Sequence, residues 1–305
     1  MPRSIEITVP PDKTQLLIDR LSGLEGLVGL SLHRGVSLQP PGDVVGIQVS
    51  TDALQQVFRH FDALGLPKDG TIVTSEPSSL VAPGYKNGID RETNEAAWEE
   101  IISLLRRETN LSVNYLTLMA LAGAVAAAGL WTDTLHIVIG AMVIAPGFEP
   151  LVRIPLGLIG GPRISTLRGL LSTVVGYGFL VMGAVICTLA LRLLDPNGLV
   201  DLAARSWIDY WSSVTPAGVI VSLCAGAAGT AVVAAQRSVL SAGVMVALAL
   251  VPTMTIAGMA IVAGNPQMAA GGLTRWAVEA VCVLAASTVV LWLKQIFIHR
   301  RHSLG

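Results

Sequence analysis

Apolar positions change their period as the chain proceeds. From Arg3 to Val9, Ile5, Ile7 and Val9 alternate with Glu6 and Thr8, the period of two of a half-buried strand. Pro10-Pro11-Asp12 then opens a predicted helix over Lys13 to Gly23, with Leu16, Leu17, Arg20 and Leu21 at helical spacing. Val28–Leu38 reads as a second strand, Pro40-Pro41-Gly42-Asp43 as a turn, and Val44–Val49 as a third strand with Val45, Ile47 and Val49 on one face. Thr51 and Asp52 are N-cap types ahead of Leu54, Val57, Phe58, Phe61 and Leu64, a helix ending at Gly65. Thr71–Ser75 is the fourth strand. The order βαββαβ is that of the ferredoxin-like, split βαβ arrangement. A core this small predicts self-association or docking. His33, Arg34 and His60 are its notable polar candidates, of types ordinarily found solvated.

Residues 76–88 are rich in Pro, Gly, Ser and Asn and read as a linker. Asp90 to Thr109 is amphipathic, with Ala97, Ile101, Leu104 and Leu105 on one face and Glu92, Glu95, Glu99, Glu100, Arg106 and Arg107 on the others. Trp98 is placed to anchor it at headgroup level. The expected domains are therefore 1–84, a linker and helix over 85–110, and a transmembrane part over 111–305. Beyond Leu111 the polar positions thin out into six predicted spans, 112–131, 135–159, 169–194, 215–235, 239–263 and 276–298, each near the ~20 residues a bilayer requires.

Composition agrees with that division. Charged residues make up 13% of the chain and mean hydropathy is +0.64, against about 25% charged in soluble domains. Net charge is −1, which gives no basic field for nucleic acid. Cys187, Cys224 and Cys282 each fall in an apolar span without metal-ligand spacing. No apolar signal segment is visible at the start, so the first span is expected to direct insertion. Connections carrying Arg106, Arg107, Arg163, Arg168, Arg237, Lys294, Arg300 and Arg301 alternate with connections carrying only Arg192, Arg205 and Arg275. By the positive-inside rule both termini are cytoplasmic. Leu199 to Trp211 reads as an interfacial helix on the outer side.

Two spans are interrupted. In His136–Arg153 the break falls at Pro146, Gly147 and Pro150 and carries Glu149; in Ala249–Thr255 it falls at Pro252. Proline removes a backbone donor and clashes with the preceding turn, and groups freed at membrane depth must be buried in protein or line a wet cavity. Gly140-Ala-Met-Val-Ile-Ala-Pro146 parallels Gly243-Val-Met-Val-Ala-Leu-Ala-Leu-Val-Pro252, and each follows a small-residue run, Ala122–Gly129 and Ala225–Thr230. Spans 1–3 and 4–6 thus read as an inverted 3+3 repeat, the layout of many secondary transporters. The same residues also fit two ordinary proline kinks. The small-residue faces predict a homo-oligomer.

Asn110-Leu-Ser-Val-Asn-Tyr115, the span ending Ala-Gly-Leu130, Ile139-Gly-Ala-Met-Val-Ile-Ala-Pro146 and Val246-Ala-Leu-Ala-Leu-Val-Pro252 together resemble a bacterial membrane family catalogued as domain of unknown function 389, over about 110–265. The resemblance implies a polytopic membrane fold, with a small cytosolic domain on some members, and no activity. Two positions depart from the family pattern. Gly147-Phe-Glu-Pro150 replaces a neutral residue and glycine, and Thr253 stands where a second proline is usual.

Glu149 and Arg153, four residues apart, are expected to pair on a helix beginning at Pro150, as a site or as a brace. The candidate ion- or substrate-binding set is Pro146, Gly147, Glu149, Arg153, Pro252, Thr253 and Thr255. Broken-helix N-termini with Arg153 would suit an anion; Glu149 with freed carbonyls and the hydroxyls of Thr253 and Thr255 would suit a cation or proton. Asp133 and His136 read as an interfacial pair or a gate. No hydrolase, phosphate-loop, dinucleotide or metal motif appears, so no catalysis and no cofactor are expected. The expected function is a transporter or channel for a small ion or solute; the alternative is a membrane-anchored sensor or scaffold whose spans only oligomerise.

Overall fold

The computed structural model describes residues 3–66, 70–75, 98–160, 163–199, 202–235 and 241–297. The chain divides into two compact units, Met1–Ala97 and Trp98–Gly305.

The first unit runs β1 (Arg3–Val9), α1 (Pro11–Leu21), β2 (Leu27–Leu38), β3 (Pro41–Val49), α2 (Thr51–Ala63) and β4 (Ile72–Ser75). The four strands form one sheet in the order β2-β3-β1-β4, every neighbour antiparallel. Period two along β1 and β3 turns Ile5, Ile7, Val9, Val45, Ile47 and Val49 to one face, where Leu17, Leu21, Leu54, Val57 and Phe61 of the two helices close over them. Three details depart from expectation. The cap of α2 is Ser50 rather than Thr51 or Asp52. The turn after β2 contracts to Gln39-Pro40, and Pro41, Gly42 and Asp43 belong to β3, with Asp43 opposite Val9. The β2–β3 ladder slips between His33 and Ser37. Gly35 sits in that slip at φ +63°, a conformation glycine adopts at no steric cost. Its N–H donates to Asp43 Oδ1 (2.8 Å), while Thr14 Oγ1 donates to Asp43 Oδ2 (2.8 Å). These bonds hold the Asp43 carboxyl below its ordinary pKa, the Gly35 amide first, then Thr14, with Arg34 adding a smaller favourable charge.

The second unit begins with α3 (Trp98–Glu108). Its Ile101 and Leu105 are buried, and it packs on the helix over Glu149–Ile159, so this apolar face meets protein rather than lipid. The linker over 76–97, the Trp98 side chain, Arg237, Arg300 and Arg301 lie outside the described residues. After α3 come α4 (Val113–Trp131), α5 (Leu135–Ile144), α6 (Glu149–Ile159), α7 (Arg163–Leu194), two single 3-10 turns, α8 (Ser206–Ser212), α9 (Pro216–Ala234), α10 (Ser241–Ala247), α11 (Leu250–Ala263) and α12 (Pro266–Phe297). Among the described residues, four helices are long and apolar enough to cross a membrane: Val113–Trp131, Ile164–Leu194, Pro216–Ala234 and Pro266–Ile296. The pair α5 and α6, bent by 41°, makes a fifth if it is one span. The expected interfacial helix at Leu199–Trp211 is instead a 3-10 turn followed by the short α8, whose Trp207 N–H donates to Asp133 (3.2 Å).

The elements recur in kind. Helices α4 and α9 are each 19 residues long, and each is capped by a hydroxyl: Ser112 accepts from Tyr115 N (3.1 Å) and Thr215 from Gly218 N (3.1 Å). Helices α7 and α12 are each 32 residues, about 48 Å, against a hydrocarbon core of about 30 Å. The long helices begin earlier than the predicted spans. Gly264 ends α11 in the left-handed region (φ +64°) and Pro266 starts α12 at once. Arg275, expected in an outer connection, is therefore inside α12 and buried. Helices α4 and α7 touch backbone to backbone: a Cβ at Gly183 would run into the Ala120 carbonyl, and one at Gly123 into that of Leu180. Helix α6 packs on both α7 and α12, and α11 on both α12 and α7.

Candidate functional site

The first break is built by proline. Ala145 is extended (ψ 120°), the conformation a following proline enforces, and α5 stops there. Gly147 N–H turns back to Ala145 O (2.9 Å). Phe148 caps α6, with Glu149 and Pro150 in its first turn, where a proline loses nothing. The Gly147 carbonyl accepts from Tyr177 Oη on α7 (3.3 Å), and a Cβ at Gly147 would meet that oxygen and Met245 of α10. Phe148 is fully buried against Gly229 of α9. Glu149 is half-buried, near enough for its charge to bear on the hydroxyls of Tyr115 and Tyr177.

The second break lies at Leu248-Ala249, between α10 and α11, ahead of where the sequence placed it. Pro252 has no N–H to give the Leu248 carbonyl four residues back, so the ladder stops there and Pro252 itself sits in the first turn of α11. Thr253 and Thr255 are fully buried, and their hydroxyls are engaged in their own helix. Thr253 donates to Ala249 O (2.7 Å) and Thr255 to Val251 O (2.9 Å).

Arg153, placed by spacing beside Glu149, sends its guanidinium elsewhere. Nη1 donates to Thr109 Oγ1 (2.6 Å) and Nε to Ser165 Oγ (3.3 Å), and the residue is only 3% exposed. The breaks are therefore brought close, through Gly147 and Met245, but Arg153 turns toward the α3–α4 junction. His136 is exposed, and Asp133 serves to cap α8.

Sequence reasoning passed over the groups that join the two breaks. Arg275 Nε and Glu279 Oε1 form a buried ion pair at 2.8 Å, and Arg275 Nη1 also donates to Ser213 O (2.8 Å). The Glu279 carboxylate lies against the backbone amide of Ala249 at the second break. One turn back, Trp276 packs edge-on against Tyr177 with ring centroids 5.1 Å apart, and Tyr177 in turn holds Gly147 at the first break. Glu279 Oε2 is buried without a hydrogen bond of full geometry among the described residues, and Trp276 Nε1 is buried beside the Tyr177 hydroxyl. The available signal was an ionisable pair four residues apart in an apolar stretch.

Two units, one a small antiparallel α+β sheet and the other a bundle of membrane-length helices with two helix breaks, define a multi-pass membrane protein. Residues 142–285 match the family model described as Domain of unknown function (DUF389). That stretch includes both breaks and reaches past Glu279, beyond the region of resemblance seen in the sequence. The chain is 24% identical over 219 residues to an uncharacterised protein of Methanocaldococcus jannaschii, covering 72% of this chain and 66% of that protein. It thus spans slightly less than two thirds of that relative's length. No solved structure matches.

Proposed function

We propose that this protein is a transporter or channel that moves a proton or small cation past the two helix breaks, with Glu149 and Glu279 as its carboxylates. One observation carries the reading: the Glu279 carboxylate is buried at the second break, where Arg275 takes Oε1, the Ala249 amide lies alongside, and Oε2 lacks a hydrogen bond of full geometry among the described residues. A buried lone acceptor at such a place calls for a proton, a water or an ion. An anion fits less well. The N-terminus of α6 already holds Glu149 in its first turn, and the first amide of the second break faces Glu279, so each half-helix terminus meets a carboxylate of the protein's own.

The matched lengths and caps of α4 and α9, the equal lengths of α7 and α12, and the exchange of α6 and α11 between the long helices support an inverted 3+3 repeat of six spans. In that arrangement α10 and α11 together form the fifth span, α12 is the sixth, and both termini are cytoplasmic, in a bacterial plasma membrane. With Arg275 inside α12, the outer connections carry less positive charge than the sequence count allowed. The strand order and element order of the first unit support a ferredoxin-like regulatory domain; the small-residue runs, from which a homo-oligomer was expected, are taken up by packing within the chain, Gly123 against Leu180 and Gly226 against Val283.

A second reading, a membrane-anchored sensor or scaffold, draws on the internally bonded Thr253 and Thr255 and on Tyr177 closing over Gly147. The experiment that separates them uses a background with Cys187, Cys224 and Cys282 replaced, single cysteines at Glu149 and Ala249, and a membrane-impermeant thiol reagent. In parallel, proton, sodium and potassium flux is followed in proteoliposomes for the wild type, Glu149→Gln and Glu279→Gln. Transport predicts labelling at the breaks and flux lost in folded carboxamide variants. Unlabelled breaks with no flux of any of the three ions would refute it and favour the scaffold.

A further inference from the structure

A second polar centre lies away from the breaks, where α3 gives way to α4. A cavity of about 240 Å³ opens there, lined by Arg106, Thr109, Asn110, Arg153, Arg168 and Ser172, with Leu111 and Leu171 at its apolar edge. Its walls are tied together. Ser172 Oγ donates to Thr109 O (2.7 Å), Tyr115 Oη to Ser172 O (3.0 Å), and Arg153 Nη1 to Thr109 Oγ1 (2.6 Å). Three guanidinium groups converge on this space, and the charges of Arg106 and Arg168 both bear on buried Arg153. No carboxylate is among the lining residues. Guanidinium groups only donate. The hydroxyls of Thr109 and Ser172 spend their protons on the carbonyls of Leu105 and Thr109. Among the described lining residues no carboxylate offsets buried Arg153 and the exposed Arg106 and Arg168, so their mutual repulsion is left to solvent unless an anion fills the cavity.

The class of anion follows from donor shape and surroundings. The planar fork of arginine matches the paired oxygens of phosphate. On the same helix as Arg168, Leu167, Leu170 and Leu171 are exposed, an apolar rim suited to acyl chains. Basic pockets between membrane helices are where anionic headgroups bind. We propose that this cavity holds the phosphate of an anionic phospholipid headgroup, gripped by Arg106, Arg153 and Arg168 with the acyl chains laid along α7. The site is independent of the transport reading, because neither break contributes to it. Bound there, a lipid would brace the junction by which α3 enters the bundle.

The test uses the full chain purified in neutral detergent, with thermal unfolding and native mass spectrometry. Added phosphatidylglycerol is expected to raise the unfolding temperature and to stay bound; phosphatidylcholine is not. The double variant Arg106→Gln/Arg168→Gln should weaken phosphatidylglycerol by about a hundredfold, roughly tenfold for each charged donor removed. Arg107→Gln, which removes an exposed arginine paired with Glu108 at 3.6 Å, should leave binding intact and so excludes a general surface-charge effect. If inorganic phosphate gives the same shift and loses it in the double variant, the oxyanion site stands and its natural source is free phosphate. A phosphatidylglycerol shift no larger than that of phosphatidylcholine, or one retained in the double variant, overturns the proposal.

Discussion

Glu279→Ala leaves the Arg275 guanidinium in a dry setting where the Ser213 carbonyl is its remaining hydrogen-bond acceptor among the described residues. The two side chains are 7% and 2% exposed and meet at 2.8 Å. At that distance and an effective dielectric of about 20, the attraction is about 6 kcal/mol before desolvation is subtracted. Removing one partner of a buried pair costs about 3–5 kcal/mol, because the other charge is left uncompensated. For a unit of about 200 residues that corresponds to a fall in Tm of about 6–20 °C, read as a thermal melt of the purified protein in detergent. The double variant Arg275→Met/Glu279→Leu replaces both charges by apolar groups. It should recover most of the loss, short of the ~1–2 kcal/mol for the donor withdrawn from Ser213 O. The refuting results are a loss under ~1 kcal/mol in Glu279→Ala, or a double variant as unstable as the sum of the two singles.

Gly183→Ala should lower stability by about 1–3 kcal/mol, because its Cβ meets the backbone carbonyl of Ala120. Gly178→Ala, on the same helix with open space around it, should be neutral or slightly stabilising in the same melt. In the first unit, folding lowers the pKa of Asp43. Its contribution is therefore fully present above the ordinary value of ~3.9 and fades as pH falls through the lower folded value. Hydrogen exchange at the Gly35 amide, corrected for intrinsic rate, should lose protection over that acid window. Asp43→Asn should be less protected at neutral pH and show a flatter acid dependence; equal profiles in both proteins would refute the role.

What could be read beforehand depended on how far apart the interacting residues stand in the chain. Alternation at Ile5, Ile7 and Val9 was enough to place β1 and its buried face, because strand period is a local property. Pro146 was enough to place the first break for the same reason. The second break was legible in principle, since a proline disrupts the carbonyl four residues before it, and Leu248 is that residue. Arg153 shows the limit of spacing rules. Its helical neighbour Glu149 was the local guess, yet the guanidinium reaches Thr109, 44 residues earlier. The Arg275–Glu279 pair was lost for a different reason. A span boundary drawn at 276 fell between the two residues and hid a pairing that would have justified both inside the helix. The bond from Tyr177 to Gly147 and its packing on Trp276 had no local signature.

The exchange of α6 and α11 between the two long helices bears on how the protein is made. During synthesis, α6 leaves the ribosome with Glu149, Pro150, Arg153 and Pro155 in one short segment. Part of its surroundings arrives soon after: once α7 is complete, Ser165 is there for Arg153 and Tyr177 for Gly147. Its other flank waits for α12, which begins about a hundred residues later. Helix α11, by contrast, finds α7 already in place and lacks only the helix that follows it. A nascent chain halted before Pro266 would therefore hold two half-covered helices at once. Completion of the last helix is the event that closes both flanks together, so biogenesis ends on a single cooperative step rather than on the stepwise addition of finished hairpins.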